Sequence, residues 1–100
     1  MHFLLIYEYS NDYLERRGAF RTEHLQRAWQ AHDAGQLLLG GVLNDPADSA
    51  ALVFTVDSAE QVKAFVKNDP YYQNGLITSY KILPWSTVIG ELASQPVRPA

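Results

Sequence analysis

The sequence predicts an α+β domain of the ferredoxin-like kind, in the order strand, helix, strand, strand, helix, strand. Three observations carry this. Four short runs rich in branched and aromatic residues are bounded by turn signals. Two longer stretches between them space their apolar residues as a helix does. Their order is that of the split βαβ arrangement, a four-stranded antiparallel sheet with two helices on one face.

The first run, His2 to Tyr9, is short and apolar at most positions, and it reads as a strand buried on both faces. Ser10-Asn11-Asp12 breaks it. Asp12 stands three residues before Glu15 and offers a capping box. The helix it opens runs to about Ala34 and stops at Gly35, with Gly18 making its first turns irregular. At about 100° per residue, Leu14, Gly18, Leu25, Trp29 and His32 form one stripe, with Ala28 at its edge. Arg21 falls inside the stripe and His24 on its flank. One guanidinium and two imidazoles therefore stand at or beside the face expected to be buried.

Gln36 to Leu43 reads as the second strand. Gly40-Gly41 within it suggests a bulge, or close approach of a backbone or a ligand. After a turn-rich loop, Ala50 to Val56 is the third strand. Asp57 or Ser58, with Glu60 or Gln61 beyond it, caps a second helix whose apolar stripe is Val62, Phe65 and Val66. Asn68-Asp69-Pro70 ends that helix, because a residue before proline is pushed out of the helical region. Tyr71 to Leu76 reads as a loop. Ile77 to Leu83 is the fourth strand, with Tyr80 and Ile82 on one face. Pro84 interrupts it, and Trp85 to Ile89 continues as an extended edge segment. Residues 1–90 form the domain, and 91–100, with Pro96 and Pro99, a loose tail.

Composition narrows the function classes. One hundred residues make one domain. A net charge of -3 and the lack of any basic stripe argue against nucleic acid as a partner. The absence of cysteine removes disulfides, thiolate nucleophiles and Cys-ligated zinc, and fits a cytoplasmic location. The apolar run at the N-terminus is too short for a signal peptide, and no stretch reaches the ~20 residues that span a bilayer, so no membrane partner is expected. His24 and His32 lie eight apart where a helical metal pair wants four, so no metal is expected. No glycine pair follows a nucleotide-binding pattern, and no cofactor is expected. The sheet face away from the helices needs a cover. In so short a chain a second copy is the simplest one, giving a two-fold homodimer with facing sheets.

Four segments together resemble the YciI-like (YCII-related) family: Arg21-Thr22-Glu23-His24-Leu25; Gly35-Gln36-Leu37 running into Gly40-Gly41; Asn68-Asp69-Pro70-Tyr71; and Gly75 followed by Lys81-Ile82-Leu83-Pro84-Trp85. The resemblance covers about residues 1 to 90. Thr22 departs from it, since family members often have proline after the arginine. The resemblance implies a dimeric α+β barrel, with an active site built on one histidine and one aspartate that match His24 and Asp69. Most members have no established substrate. Some relatives act as lyase-type dehydrochlorinases on chlorinated aromatic compounds, and no residue here is diagnostic of chlorine.

The chemistry of such a pair stands independently. Histidine exchanges a proton near neutrality. A carboxylate bonded to one ring nitrogen fixes the tautomer and leaves the other for a small-molecule ligand. Without a nucleophile placed by a motif, this suits proton transfer, as in elimination or isomerisation. Arg21, one turn before His24, is a candidate holder of a substrate carboxylate or enolate. Gly41 offers close backbone approach, and Tyr71, Tyr72 and Trp85 offer flat walls. Plainer readings stand beside these. His24 can be a half-buried structural histidine, Asp69 a turn residue bonding its own backbone, and the whole chain a ligand-binding or interaction domain without catalysis.

Overall fold

The computed structural model describes residues 1–100. The elements are β1 (His2–Tyr9), α1 (Tyr13–Arg16), a 3-10 turn (Arg17–Ala19), α2 (Arg21–Asp33), β2 (Leu37–Leu43), β3 (Ser49–Thr55), α3 (Ala59–Lys67), α4 (Pro70–Gln73) and β4 (Ile77–Trp85). The sheet runs β2-β3-β1-β4 with every neighbouring pair antiparallel, the ferredoxin-like topology.

The central strand β1 alternates. Phe3, Leu5, Tyr7 and Tyr9 are buried on the helix side, where β3 opposes them with Phe54, Leu52 and Ala50. Leu4 and Ile6 are half-buried on the other side and Glu8 is exposed. The expected burial of both faces therefore holds fully for one face only. Helix α3 covers one end of the sheet with fully buried Val62 and Val66, and Phe65 meets Phe54 edge-on at 5.1 Å between ring centroids. Ser58 and Gln61 form the capping box that starts it. Helix α2 behaves differently. None of its residues is buried, and it reaches the core only through partly buried residues such as Ala28 and Ala31.

The irregular first turns expected at Gly18 are a 3-10 turn that separates α1 from α2, because glycine gives up helical stability. Three expectations need correction. Asp12 caps no backbone group; the Ser10 hydroxyl donates to it, and Arg16 pairs with it at 3.7 Å. The segment after Pro70 is a helical turn, not a loop, since proline at the first helical position is pre-set for it. Pro84 does not interrupt β4, which runs on to Trp85 with Pro84 opposite Phe3. As an edge strand, β4 can carry a residue that donates nothing on its free side.

Gly35 ends α2 in the left-handed region at φ 78°, which a side chain would oppose. The irregularity in β2 falls between Leu37 and Leu39, just before the glycines. Gly40 is a close approach: a Cβ there would lie 3.0 Å from Leu52 Cγ. A Cβ on Gly41 would meet nothing within 4 Å. In urea denaturation, Gly40→Val is expected to cost roughly 1–3 kcal/mol through overpacking against buried Leu52. Gly41→Ala is expected to stay within about 0.5 kcal/mol.

Candidate functional site

Helix α2 presents Arg21, His24, Leu25, Ala28, Trp29 and His32 along one stripe, the i, i+3, i+4 spacing that brings residues onto one face. The stripe lines a cavity of about 340 Å³, and only its small member Ala28 also packs on the core. The opposite wall is β2, including Gly40 and Gly41. Tyr7, Tyr9, Tyr13 and Tyr71 line the rest with Ala50 and Leu52 of β3. The periodicity marked this face correctly, but the face borders a hollow, so Leu25 remains partly open and Trp29 is 62% exposed.

Asp69 is placed by its neighbours in sequence. The proline after it holds it extended (φ -78°, ψ 121°), which makes it the N-cap of α4. Its Oδ1 accepts from the Tyr71 backbone N–H at 3.0 Å and from His24 Nδ1 at 2.7 Å. Its Oδ2 accepts from the Tyr7 hydroxyl at 2.9 Å. The Asp69 side chain has no exposure and that of His24 has 14%. Because a carboxylate only accepts, Nδ1 carries the proton of the neutral ring and Nε2 is its free nitrogen. The Tyr71 ring stacks flat on the imidazole, 3.8 Å between centroids and 6° between planes. Asp-Pro-Tyr thus supplies the ring's hydrogen-bond partner, the turn and the ring's second wall.

The tyrosines add a polar shell with an apolar body. Tyr9 and Tyr13 stack at 3.6 Å, pinning α1 to β1, and Tyr71 stands edge-on to both. Burial pushes the Tyr7 hydroxyl far above the usual tyrosine range, and the charge of Asp69 and the bond to it add to this. Burial likewise raises Tyr9. Tyr71 is raised by burial first and by Tyr13 next, with Arg21 and then Arg17 opposing. Tyr7 therefore stays a donor to Asp69 across the ordinary pH range.

Of the residues expected from sequence, His24, Asp69, Arg21, Gly41 and Tyr71 come together here; all but Asp69 line the cavity. Trp85 does not. It ends β4 opposite His2 and is 45% exposed beside a separate hollow of about 360 Å³ bordered by Leu39, Thr87 and Leu92. Tyr80 and Ile82 pack on the core, so strand alternation sends Trp85 to the other face once Pro84 is kept in the strand. Tyr72 turns away to meet Tyr80 edge-on. His32 Nδ1 donates to the Leu37 carbonyl at 2.8 Å and ties the end of α2 to β2. No three His, Asp or Glu side chains converge as a metal site would need. Tyr7 escaped the sequence reading. The signal was a tyrosine among core positions of a central strand, where a buried hydroxyl needs a partner.

The model of the YCII-related domain matches residues 1–86. The Protein YciI of Escherichia coli O6:H1 is 33% identical over 86 residues, which span 77% of this chain and 88% of that protein. The Protein YciI of Shigella flexneri matches equally. Among solved structures, a 5-chloro-2-hydroxyhydroquinone dehydrochlorinase from Burkholderia phenoliruptrix AC1100, in complex with 2,5-dihydroxybenzoquinone, superposes with a TM-score of 0.74 at 23% identity, over 87% of this chain and 95% of that one. A NIPSNAP family protein from Agrobacterium tumefaciens C58 gives 0.56 at 17% identity, over 91% and 96%. At these identities the structures establish the shared fold.

Two outcomes follow from the buried hydrogen bonds. Tyr7→Phe leaves Asp69 Oδ2 without its donor and is expected to cost roughly 1–3 kcal/mol in urea denaturation. Tyr7 is raised from 10.0 and is held protonated in the fold, while an unfolded chain ionises near that value. Stability is then fully present below about pH 10 and falls as pH rises above it. Alkaline melting curves should show this decline, and Tyr7→Phe should make it shallower.

Proposed function

The chain belongs to the YCII-related domain family, and from that premise we propose that it is a small enzyme moving a proton on a small acidic or aromatic molecule. His24 is the general acid/base, Asp69 its orienter, and Arg21 the holder of a carboxylate or enolate oxygen. The chemistry is of lyase or isomerase type and is carried by the dyad without a cofactor. The observation that carries this reading is the 2.7 Å bond from a ring nitrogen of His24 to a fully buried carboxylate, with the ring beside a cavity. Burying a carboxylate is costly, and the three donors around Asp69 offset that cost at a place where they also fix one imidazole tautomer. Arg21 forms no ion pair, which suits a residue reserved for a ligand. The fold it shares with a dehydrochlorinase adds a precedent for elimination on an aromatic ring.

A plainer reading keeps the cavity as a binding site without turnover. What favours catalysis over it is the orientation of His24 by a charged partner, which simple apolar binding does not require. A panel of hydroxylated ring compounds and enolisable acids, 5-chloro-2-hydroxyhydroquinone among them, can be followed by NMR in deuterated water for exchange or elimination. At least one member is expected to turn over, and His24→Gln to slow it by about a hundredfold to ten-thousandfold. Turnover undiminished in His24→Gln removes the dyad mechanism, and a ligand bound tightly but returned unchanged supports the plainer reading.

The open face of the sheet carries a second part of the proposal. Leu4, Ile6, Ala51 and Val53 are half-buried there, and Leu39, Leu83 and Trp85 are exposed. Water disfavours such an apolar surface, and a second copy laid sheet to sheet covers it. Sedimentation equilibrium is expected to give twice the 11.3 kDa chain mass. Leu83→Asp is expected to shift the species toward the single-chain mass.

A further inference from the structure

The Tyr71 hydroxyl is the single buried side-chain polar atom outside the chain's well-formed hydrogen bonds; Arg21, which only donates, stands close to it, so the hydroxyl proton has no acceptor. Its residue is 1% exposed and lines the cavity beside His24. A buried donor left unpaired costs about 1–3 kcal/mol, so an orphan at a cavity wall asks for an acceptor from outside. Around it the chain provides donors and cations. Arg21 lines the same cavity as Tyr71, Arg17 reaches it through Tyr13, whose ring stands edge-on to Tyr71 at 5.7 Å, and both guanidiniums favour negative charge on the Tyr71 oxygen. Arg17 Nη1 reaches the Tyr13 hydroxyl at 3.5 Å and its guanidinium lies 5.5 Å from the Tyr13 ring centroid. Neither arginine pairs with a carboxylate: the ion pairs of the chain are Arg16–Asp12, His24–Asp69 and Lys63–Glu60. Asp69, the nearest buried carboxylate, gives its two oxygens to His24, Tyr7 and the Tyr71 backbone.

From this arrangement we infer that the Tyr71 hydroxyl, with Arg21 and Arg17, forms an anion-binding corner that takes the acidic oxygen of a small planar acid. The inference rests on the reading of this cavity as the active site and specifies which end of the ligand goes where. Tyr71 has two functions in one side chain. Its face stacks on His24, and its hydroxyl anchors the ligand oxygen at the far end of the same ring. An aromatic acid held there extends from the corner back toward the imidazole. The hydroxyl is screened from solvent by its surroundings, and Arg21, an exposed and flexible side chain, can swing to admit the ligand. Hydrogen bonds to charged groups are roughly twice as strong as neutral ones, so the corner selects ionised acids over neutral analogues of the same shape.

Benzoate and benzamide make the test, since they share a shape and differ in charge. Binding to the wild-type chain is read by NMR shift titration. Benzoate is expected to bind at least tenfold more tightly than benzamide. Tyr71→Phe, which keeps the ring and its stacking, is expected to weaken benzoate about tenfold and benzamide, a neutral acceptor, less. Arg21→Met, a surface change that does not threaten folding, is expected to act in the same direction and decides the matter if Tyr71→Phe fails to fold. His24→Gln is expected to keep the preference for benzoate. Equal affinities in the wild-type chain, a preference that survives the Tyr71 and Arg21 changes, or one that vanishes with His24→Gln overturns the inference. A preference carried by Tyr71 alongside turnover indifferent to His24→Gln would leave this corner standing and remove the proton-transfer mechanism.

Discussion

One buried carboxylate organises this molecule. Asp69 has no contact with solvent, and three donors from three different elements converge on it: Tyr7 from β1, His24 from α2 and the Tyr71 backbone from α4. A group of this kind is stable in the interior only while its partners stay in place. The sheet, the long helix and the short helical turn are therefore fixed with respect to one another at a single point. The imidazole inherits that rigidity, held edge-on by the acid and face-on by the Tyr71 ring.

The two helices of the layer divide their labour. Helix α3 seals its half of the sheet with close-packed valines and Phe65, as a core element does. Helix α2 is moored at its ends, through His24 to Asp69 and through His32 to the Leu37 carbonyl. Between those moorings it touches the core only through small residues such as Ala28 and Ala31, and Gly40 and Gly41 on β2 widen the gap that remains. The cavity results from where the packing stops.

How much of this could be read from the sequence differs by feature. Strand alternation and helix periodicity are local, and they located every strand and both long helices, with capping by Ser58 and termination at Gly35 as expected. The errors lay where a local rule met a tertiary context. Pro84 breaks central strands but sits on an edge here. Trp85, expected as a wall of the ligand site, therefore stands on the other face of the sheet. The stripe of α2 was legible as a face, but periodicity cannot tell a face against core from a face against a hollow. The meeting of His24 and Asp69 spans 45 residues, and no periodicity reaches so far. It was the resemblance of the motifs that put the two together, while Tyr7, which no motif marks, went unread.

The loose fit of α2 carries a further meaning for how such a domain changes over time. Side chains that face a hollow contribute little to holding the chain together, so exchanges at Leu25 or Trp29 draw little on the margin by which the fold exceeds its threshold. The stabilising interior lies elsewhere, under α3 and along β1 and β3. The helical wall of the cavity and the structural interior are thereby assigned to separate sets of residues. A lineage built on this scaffold can explore new ligands through one helical face without first having to find compensating changes in its core.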